Sequence, residues 1–277
     1  MTDRSPLPAA RPAGFSPGRV GAMILRYWYL LKGSWPRMLE LAYWPTVQMV
    51  IWGLMTKHLI DESSWVAQAA GVLISAVLLW DVLFRGQLGM SLSFLEEMWS
   101  RNMGHLFVSP LRPYEWVVSM MAMSLIRTLI GVVPAAVLAF FLWQFNILSI
   151  GLPLLAFFSL LLITGWWMAM VIIALILRFG MGAEGLAWLI VFMFAPISAI
   201  YYPVDVLPGF FQWVAYALPP AHVFEGMRAV MFGEAFPWGH LAAAMGLNAV
   251  YMALAGAVFL WSFHDARVRG ALLQQGE

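Results

Sequence analysis

Long apolar stretches separated by short polar intervals set the pattern of this chain. Thr128 to Leu177 are fifty consecutive positions without Asp, Glu, Lys or Arg, more than twice the ~20 residues that one helix needs to cross a bilayer core. Apolar stretches recur at about 40–60, 65–90, 115–143, 149–178, 185–203 and 241–264, each long enough for a membrane helix rising ~1.5 Å per residue. Inside the fifty-residue run, Gln144, Asn146 and Pro153 mark a turn, because a helical hairpin places its polar and helix-breaking residues at the water interface. That run therefore predicts two spans. The expected fold class is an all-α integral membrane protein with six transmembrane helices.

Two further segments do not fit a simple span. Residues 19–38 carry Ile24, Trp28, Leu31 and Trp35 at helical spacing with Arg19, Arg26, Lys32 and Arg37 among them, which predicts an amphipathic helix lying in the membrane interface. Val206 to Phe224 is uncharged, yet Pro208 and the Pro219-Pro220 pair each remove a backbone donor from any lipid-exposed helix. A re-entrant helical hairpin over about 206–224, dipping into the outer leaflet, is expected there. The organisation predicted is a disordered cytosolic tail over 1–18, the interfacial helix over 19–38, a six-span domain over 39–266 and a second cytosolic tail over 267–277. The first twenty residues hold Pro6, Pro8, Pro12 and Pro17 without an apolar run, so they lack the hydrophobic region of a cleavable signal peptide.

Charge sets the orientation. Arg4, Arg11, Arg19, Arg26, Lys32, Arg37, Arg101, Arg112, Arg178, Arg267 and Arg269 fall on one side of a six-span arrangement, against Lys57 and Arg228 on the other. Positive flanks stay in the cytoplasm during insertion, so both termini are expected inside. Hydrophobic residues make up 62% of the chain and charged residues 10%, and a net charge of +1 from scattered arginines gives no basic face for nucleic acid. Cysteine is absent, which excludes disulfides, thiolate metal sites and thiol nucleophiles together. No convergent His, Asp or Glu ligands suggest a metal, and no serine–histidine or paired-aspartate arrangement suggests an intramembrane protease.

The cytosolic stretch between the second and third spans, about 95–110, is dense in informative residues. Glu96, Glu97, Trp99 and Arg101 precede a break at Gly104, an apolar turn Leu106-Phe107-Val108 and a stop at Ser109-Pro110. A short amphipathic helix across the end of a membrane hairpin would expose aromatic and aliphatic surface to water unless a partner covers it. Glu97-Met98-Trp99-Ser100-Arg101-Asn102 followed by Val108-Ser109-Pro110-Leu111-Arg112-Pro113 resembles the coupling helix of the ABC type-2 exporter permeases, the membrane subunits of capsule, O-antigen and some antibiotic-resistance exporters. Ala199-Ile200-Tyr201-Tyr202-Pro203-Val204-Asp205-Val206-Leu207-Pro208, continuing through Pro219-Pro220 to Glu225-Gly226-Met227-Arg228, is similar to that family's re-entrant region before the last span. The resemblance covers roughly residues 20–270.

That resemblance implies two permease copies, a homodimer by expectation, with two separate ATP-binding cassette subunits in a bacterial inner membrane. It implies ATPase coupling through Glu96, Glu97, Trp99, Arg101, Leu106 and Phe107, and a re-entrant exit region with Tyr201, Tyr202, Pro203, Pro208, Pro219 and Pro220. No cofactor is expected on this chain, ATP and Mg belonging to the partner. The residues agree, since a P-loop needs a lysine after a glycine and the only lysines, Lys32 and Lys57, follow Leu31 and Thr56.

Charge within the spans leaves alternatives open. Asp81 and Arg85 lie four apart on one face of the second span, and Arg127 lies within the third. Such groups face the bundle interior, paired or lining a wet path. They form a structural ion pair, or they line a route that contacts an anionic substrate head. Aromatic residues near the outer exit suit sugar stacking and equally an interfacial belt. The alternative to an exporter permease is an ion-coupled carrier or a channel without an ATPase, although no internal repeat supports an autonomous carrier.

Overall fold

The computed structural model describes residues 14–60, 64–143 and 146–270, without the side chains at 56, 59–60, 64–71, 107 and 149. The tail before residue 14, Gln144, the side chain of Phe107 and the segment 271–277 lie outside the described residues. Among the described residues all regular structure is helical. In chain order the helices are α1 (Pro17–Lys32), α2 (Trp35–Ile60), α3 (Ser64–Trp99), α4 (Met103–Val108), α5 (Pro113–Trp143), α6 (Leu152–Phe179), α7 (Leu186–Phe194), α8 (Gly209–Tyr216), α9 (Pro219–Met231) and α10 (Trp238–Val268). Short 3-10 turns at Ile147–Ile150, Met181–Ala183, Ala195–Ile197 and Val204–Val206 link them.

Four of these are long and apolar enough to cross a membrane: Val72–Trp99, Pro113–Trp143, Leu152–Phe179 and Trp238–Val268. The stretch expected as a span over 185–203 holds the nine-residue α7 with 3-10 turns on both sides, an apolar stretch over Met181–Ile197 that is shorter than those four helices. Pro196 sits in that turn, where its missing N–H and fixed φ suit the start of a tight turn and not the middle of a helix. The interfacial helix expected over 19–38 ends at Lys32, with Gly33 as its cap and Gly33 N–H on Tyr29 O at 2.9 Å. Pro36 explains the break: its ring in a continuous helix would clash with the carbonyl four residues earlier, whereas the first turn of α2 tolerates it. The second span runs on without interruption to Trp99, so Glu96 and Glu97 belong to its last turn.

Helix α3 is the centre of the bundle, with α2, α5 and α6 packed around it and 89% of its apolar window buried. Small residues permit that closeness. A Cβ on Gly165 of α6 would fall 2.7 Å from both Leu83 O and Gln87 N of α3, and one on Gly86 would fall 3.0 Å from Leu162. On the α5 side, the Ser124 hydroxyl donates to Gly86 O at 2.6 Å. Helices associate in this way where lipid removes the hydrophobic incentive and contact between backbones takes over. On α6, Asn248 of α10 anchors the last helix: its Oδ1 lies 3.0 Å from Trp167 Nε1 and 3.0 Å from the Thr164 hydroxyl, and its Nδ2 donates to Leu160 O at 3.1 Å.

The α3–α6 crossing yields a prediction with its own control. Gly165→Ala is expected to lower the stability of the solubilised protein by about 1–3 kcal/mol, as overpacking against backbone does. Gly246→Ala on α10, where an added Cβ meets nothing within 4 Å, is expected to leave it unchanged or slightly higher. Thermal unfolding in a mild detergent checks both.

Candidate functional site

The corner between α3 and α5 is built by a helix ending. Arg101 N–H bonds Met98 O at 3.0 Å and Asn102 N–H bonds Glu97 O at 3.0 Å, the paired bonds of a Schellman termination. Arg101 occupies the left-handed position with φ 53°, a place usually filled by glycine because a Cβ is unfavourable there. Asn102 then turns back, donating Nδ2 to Glu97 Oε2 at 2.7 Å, and its carbonyl accepts from His105 and Leu106 to open α4. Ser109 closes α4 by donating its hydroxyl to Leu106 O at 2.6 Å, and Pro110 follows.

Three carboxylates hold this corner to the N-terminal helices. Glu97 is buried and accepts from Arg26 of α1 at 2.9 Å. Glu96 accepts from Arg127 of α5 at 2.9 and 3.1 Å and from Arg37 of α2 at 3.3 Å. Glu115, buried in the first turn of α5, accepts from Arg19 Nε at 2.8 Å and Nη2 at 2.6 Å, from Ser16 N–H at 2.8 Å and from Arg112 N–H at 3.1 Å. The Glu115 hydrogen bond raises the Arg19 guanidinium above its usual pKa. Between these pairs, Trp116 Nε1 donates to the Tyr27 hydroxyl at 2.8 Å. Burial, with the Glu97 carboxylate nearby, pushes the Tyr27 phenol well above its ordinary range, so it stays protonated.

The residues expected to couple to a partner therefore divide by exposure. Glu97 and Leu106 point inward and Glu96 is mostly covered. Trp99 is half exposed, with its Nε1 on Glu184 Oε2 at 3.1 Å, while Arg101 is exposed and Val108 is 90% exposed. Of the intramembrane group, Arg127 joins Glu96. Asp81 and Arg85 are both buried on α3, and among the described residues no ion pair within 4.0 Å joins them. Arg85 passes over Gly131 of α5, where a Cβ would fall 2.6 Å from its Nε.

In the segment expected to be re-entrant, the prolines open helices. Pro208 caps α8 and Pro219-Pro220 form the first turn of α9, the positions where a missing N–H costs nothing. Glu225 and Arg228 then lock the segment, with Val204 N–H on Glu225 Oε1 at 2.7 Å, Arg228 Nη2 on the same oxygen at 2.9 Å and Arg228 Nη1 on Ala199 O at 2.8 Å. Tyr201 stacks on Trp52 of α2 with ring centroids 5.2 Å apart, and the Tyr202 hydroxyl donates to Pro196 O at 2.6 Å. Pro203 caps the Val204–Val206 turn.

Sequence reasoning did not single out Glu115, Tyr27 or Asn102 as parts of the corner. One signal was available: Arg19 and Arg26 are seven apart, two turns on one face of α1, with Tyr27 beside them.

A family model for the ABC-2 type transporter matches residues 23–232. The chain belongs to that family. The match takes in the α3–α5 corner and helices α8 and α9, leaving α10 beyond it. Comparison with curated proteins gives no match. This ABC-2 protein is thus a transport subunit, the membrane component of an ABC transporter, and members of its family typically work with an ATP-binding subunit.

Two substitutions test the corner. Arg101→Gly is expected to raise stability by about 1 kcal/mol by removing the left-handed Cβ. Glu97→Ala, which strips Arg26 and Asn102 of their shared acceptor, is expected to lower it by about 2 kcal/mol. Midpoints of thermal unfolding for the two variants, moving in opposite directions, are the readout.

Proposed function

We propose that this chain is the permease subunit of an ATP-driven exporter, paired with a second copy of itself and with separate ATP-binding cassette subunits. The observation that carries the reading is the family match across residues 23–232, together with a surface at the α3–α4 corner where Trp99, Arg101 and Val108 are exposed to a partner. The 277 residues hold no lysine placed to serve a P-loop, so the work of ATP reaches this chain mechanically. On this reading α4 is the coupling helix, Trp99 and Val108 seat it on the ATPase, and Glu97 and Glu115 pass its movement to α1.

Six crossings complete the proposed topology. Helix α2 has 26 residues, ~39 Å at 1.5 Å each, and α7 with its flanking 3-10 turns supplies an apolar stretch over Met181–Ile197. Arginine distribution supports both termini in the cytoplasm, and the family resemblance supports a bacterial inner membrane. The substrate is amphipathic or polymeric: a polysaccharide, a lipid-linked glycan, a lipid or a hydrophobic drug. Asp81 and Arg85 stand where a substrate route would meet buried charge.

Affinity purification in mild detergent from the native host tests the assembly, with partner identification and an ATP-hydrolysis assay on the eluate. An ATP-binding subunit with vanadate-sensitive turnover is the expected result. Trp99→Ala and Val108→Glu are expected to leave the permease inserted but to reduce recovery of that subunit severalfold. A chain that purifies alone after crosslinking, without ATPase activity, would instead mark an ion-coupled carrier.

A further inference from the structure

Beside the corner, between the start of α5 and the end of α10, lies a notch of about 50 Å³ whose walls include Leu106, Trp116 and Phe263 and whose rim carries Arg112 and Arg267. The volume is several times the ~10–15 Å³ that one water requires, enough for one small polar group. Its position is informative. Arg112 immediately precedes the apolar helix Pro113–Trp143, and Arg267 is the penultimate residue of Trp238–Val268. Both arginines therefore stand where two membrane-length helices end, at headgroup level if these helices span the bilayer.

The notch also has an unbalanced charge. Glu115, the carboxylate next to it on α5, is occupied by Arg19, by Ser16 N–H and by Arg112 N–H. Asp265, the carboxylate next to it on α10, is paired with Arg269. The Arg112 side chain donates only to the Tyr114 hydroxyl, at 3.0 Å, and among the described residues no carboxylate lies within ion-pair distance of Arg112 or Arg267. Two positive charges thus line an apolar-walled notch, while the described carboxylates beside it on α5 and α10, Glu115 and Asp265, are already engaged.

We propose that Arg112 and Arg267 bind the phosphodiester of an anionic phospholipid, with its glycerol portion against Trp116 and Phe263. Guanidinium groups recognise phosphate through paired, charge-assisted hydrogen bonds, and basic pockets between membrane helices on the cytoplasmic side take anionic headgroups. Trp99 and Val108, assigned to the ATPase, do not line the notch, although Leu106 of α4 does, and the apolar walls offer a lipid more contact than they offer a soluble anion. The proposal rests on reading these helices as membrane spans and does not require a working ATPase.

The test uses the full-length permease, purified alone in mild detergent and titrated with phosphatidylglycerol or with phosphatidylcholine, with bound lipid counted by native mass spectrometry. Wild type is expected to prefer phosphatidylglycerol by about tenfold, and Arg112→Gln with Arg267→Gln to lose that preference. The charge-conserving pair Arg112→Lys with Arg267→Lys is expected to keep most of it, which separates charge from folding. Added salt on wild type is expected to erode the preference, and a salt-insensitive preference would overturn the assignment. Equal phosphatidylglycerol binding by wild type and the glutamine pair would overturn it as well. Displacement of the lipid by millimolar inorganic phosphate would reassign the notch to a soluble anion. Loss of the ATP-binding subunit from the glutamine pair with lipid binding intact would reassign it to an acidic side chain of that partner. Because lipid is counted on the permease alone, failure of the exporter reading and failure of this one give different results.

Discussion

Neutralising carboxylates at the ends of long apolar helices is the constraint on which the α3–α5 corner of this ABC-2 protein depends. Glu96, Glu97 and Glu115 stand at the ends of α3 and α5, largely or wholly out of contact with solvent. Buried charge is tolerated only when paired and hydrogen-bonded. The partners come from α1, α2 and α5: Arg26 for Glu97, Arg37 and Arg127 for Glu96, and Arg19 for Glu115. Beyond those pairs α1 is held by its buried Val20, Met23, Tyr27 and Leu31 and by the Trp116–Tyr27 hydrogen bond. With the pairs, the N-terminal helix is fixed to both sides of the hairpin that carries α4. Arg19 and Arg26 are thereby committed to protein, so an interfacial role for α1 rests on its exposed Leu25 and Tyr29 and on Lys32, not on a full row of free cations.

Rigidity elsewhere has a different origin. At the α3–α6 crossing it comes from the absence of side chains, since Gly86 and Gly165 let two backbones meet. At the α6–α10 contact it comes from one amide, Asn248, whose oxygen and nitrogen are both used. At α9 it comes from the Arg228–Glu225 pair, which holds two backbone groups, Val204 N–H and Ala199 O, in place. Ala199 adopts a left-handed φ of 56° there, a strain the two charged side chains hold.

Much of this was legible in the sequence, for a physical reason: a lipid environment demands long apolar helices, and α3, α5, α6 and α10 announce themselves by length and composition. Proline punctuation likewise located the starts of α8 and α9 and the end of α4. What stayed hidden was pairing across distance. Arg19 and Glu115 are 96 positions apart, and nothing local in either helix announces the other. The continuation of α3 to Trp99 was obscured because charges at 96 and 97 look like the end of a span, whereas here they are the polar last turn of one helix with partners supplied from outside it. The shortness of α7 was hidden by its composition, which is as apolar as that of a full span.

The Gly86–Gly165 contact also bears on where a solute can travel. Two backbones separated by less than the width of a side chain leave no lumen between them, and no rotamer change can create one. Prising α3 from α6 would further open a closely packed seam of the molecule to water. A conduit between α3 and α6 is therefore sterically closed.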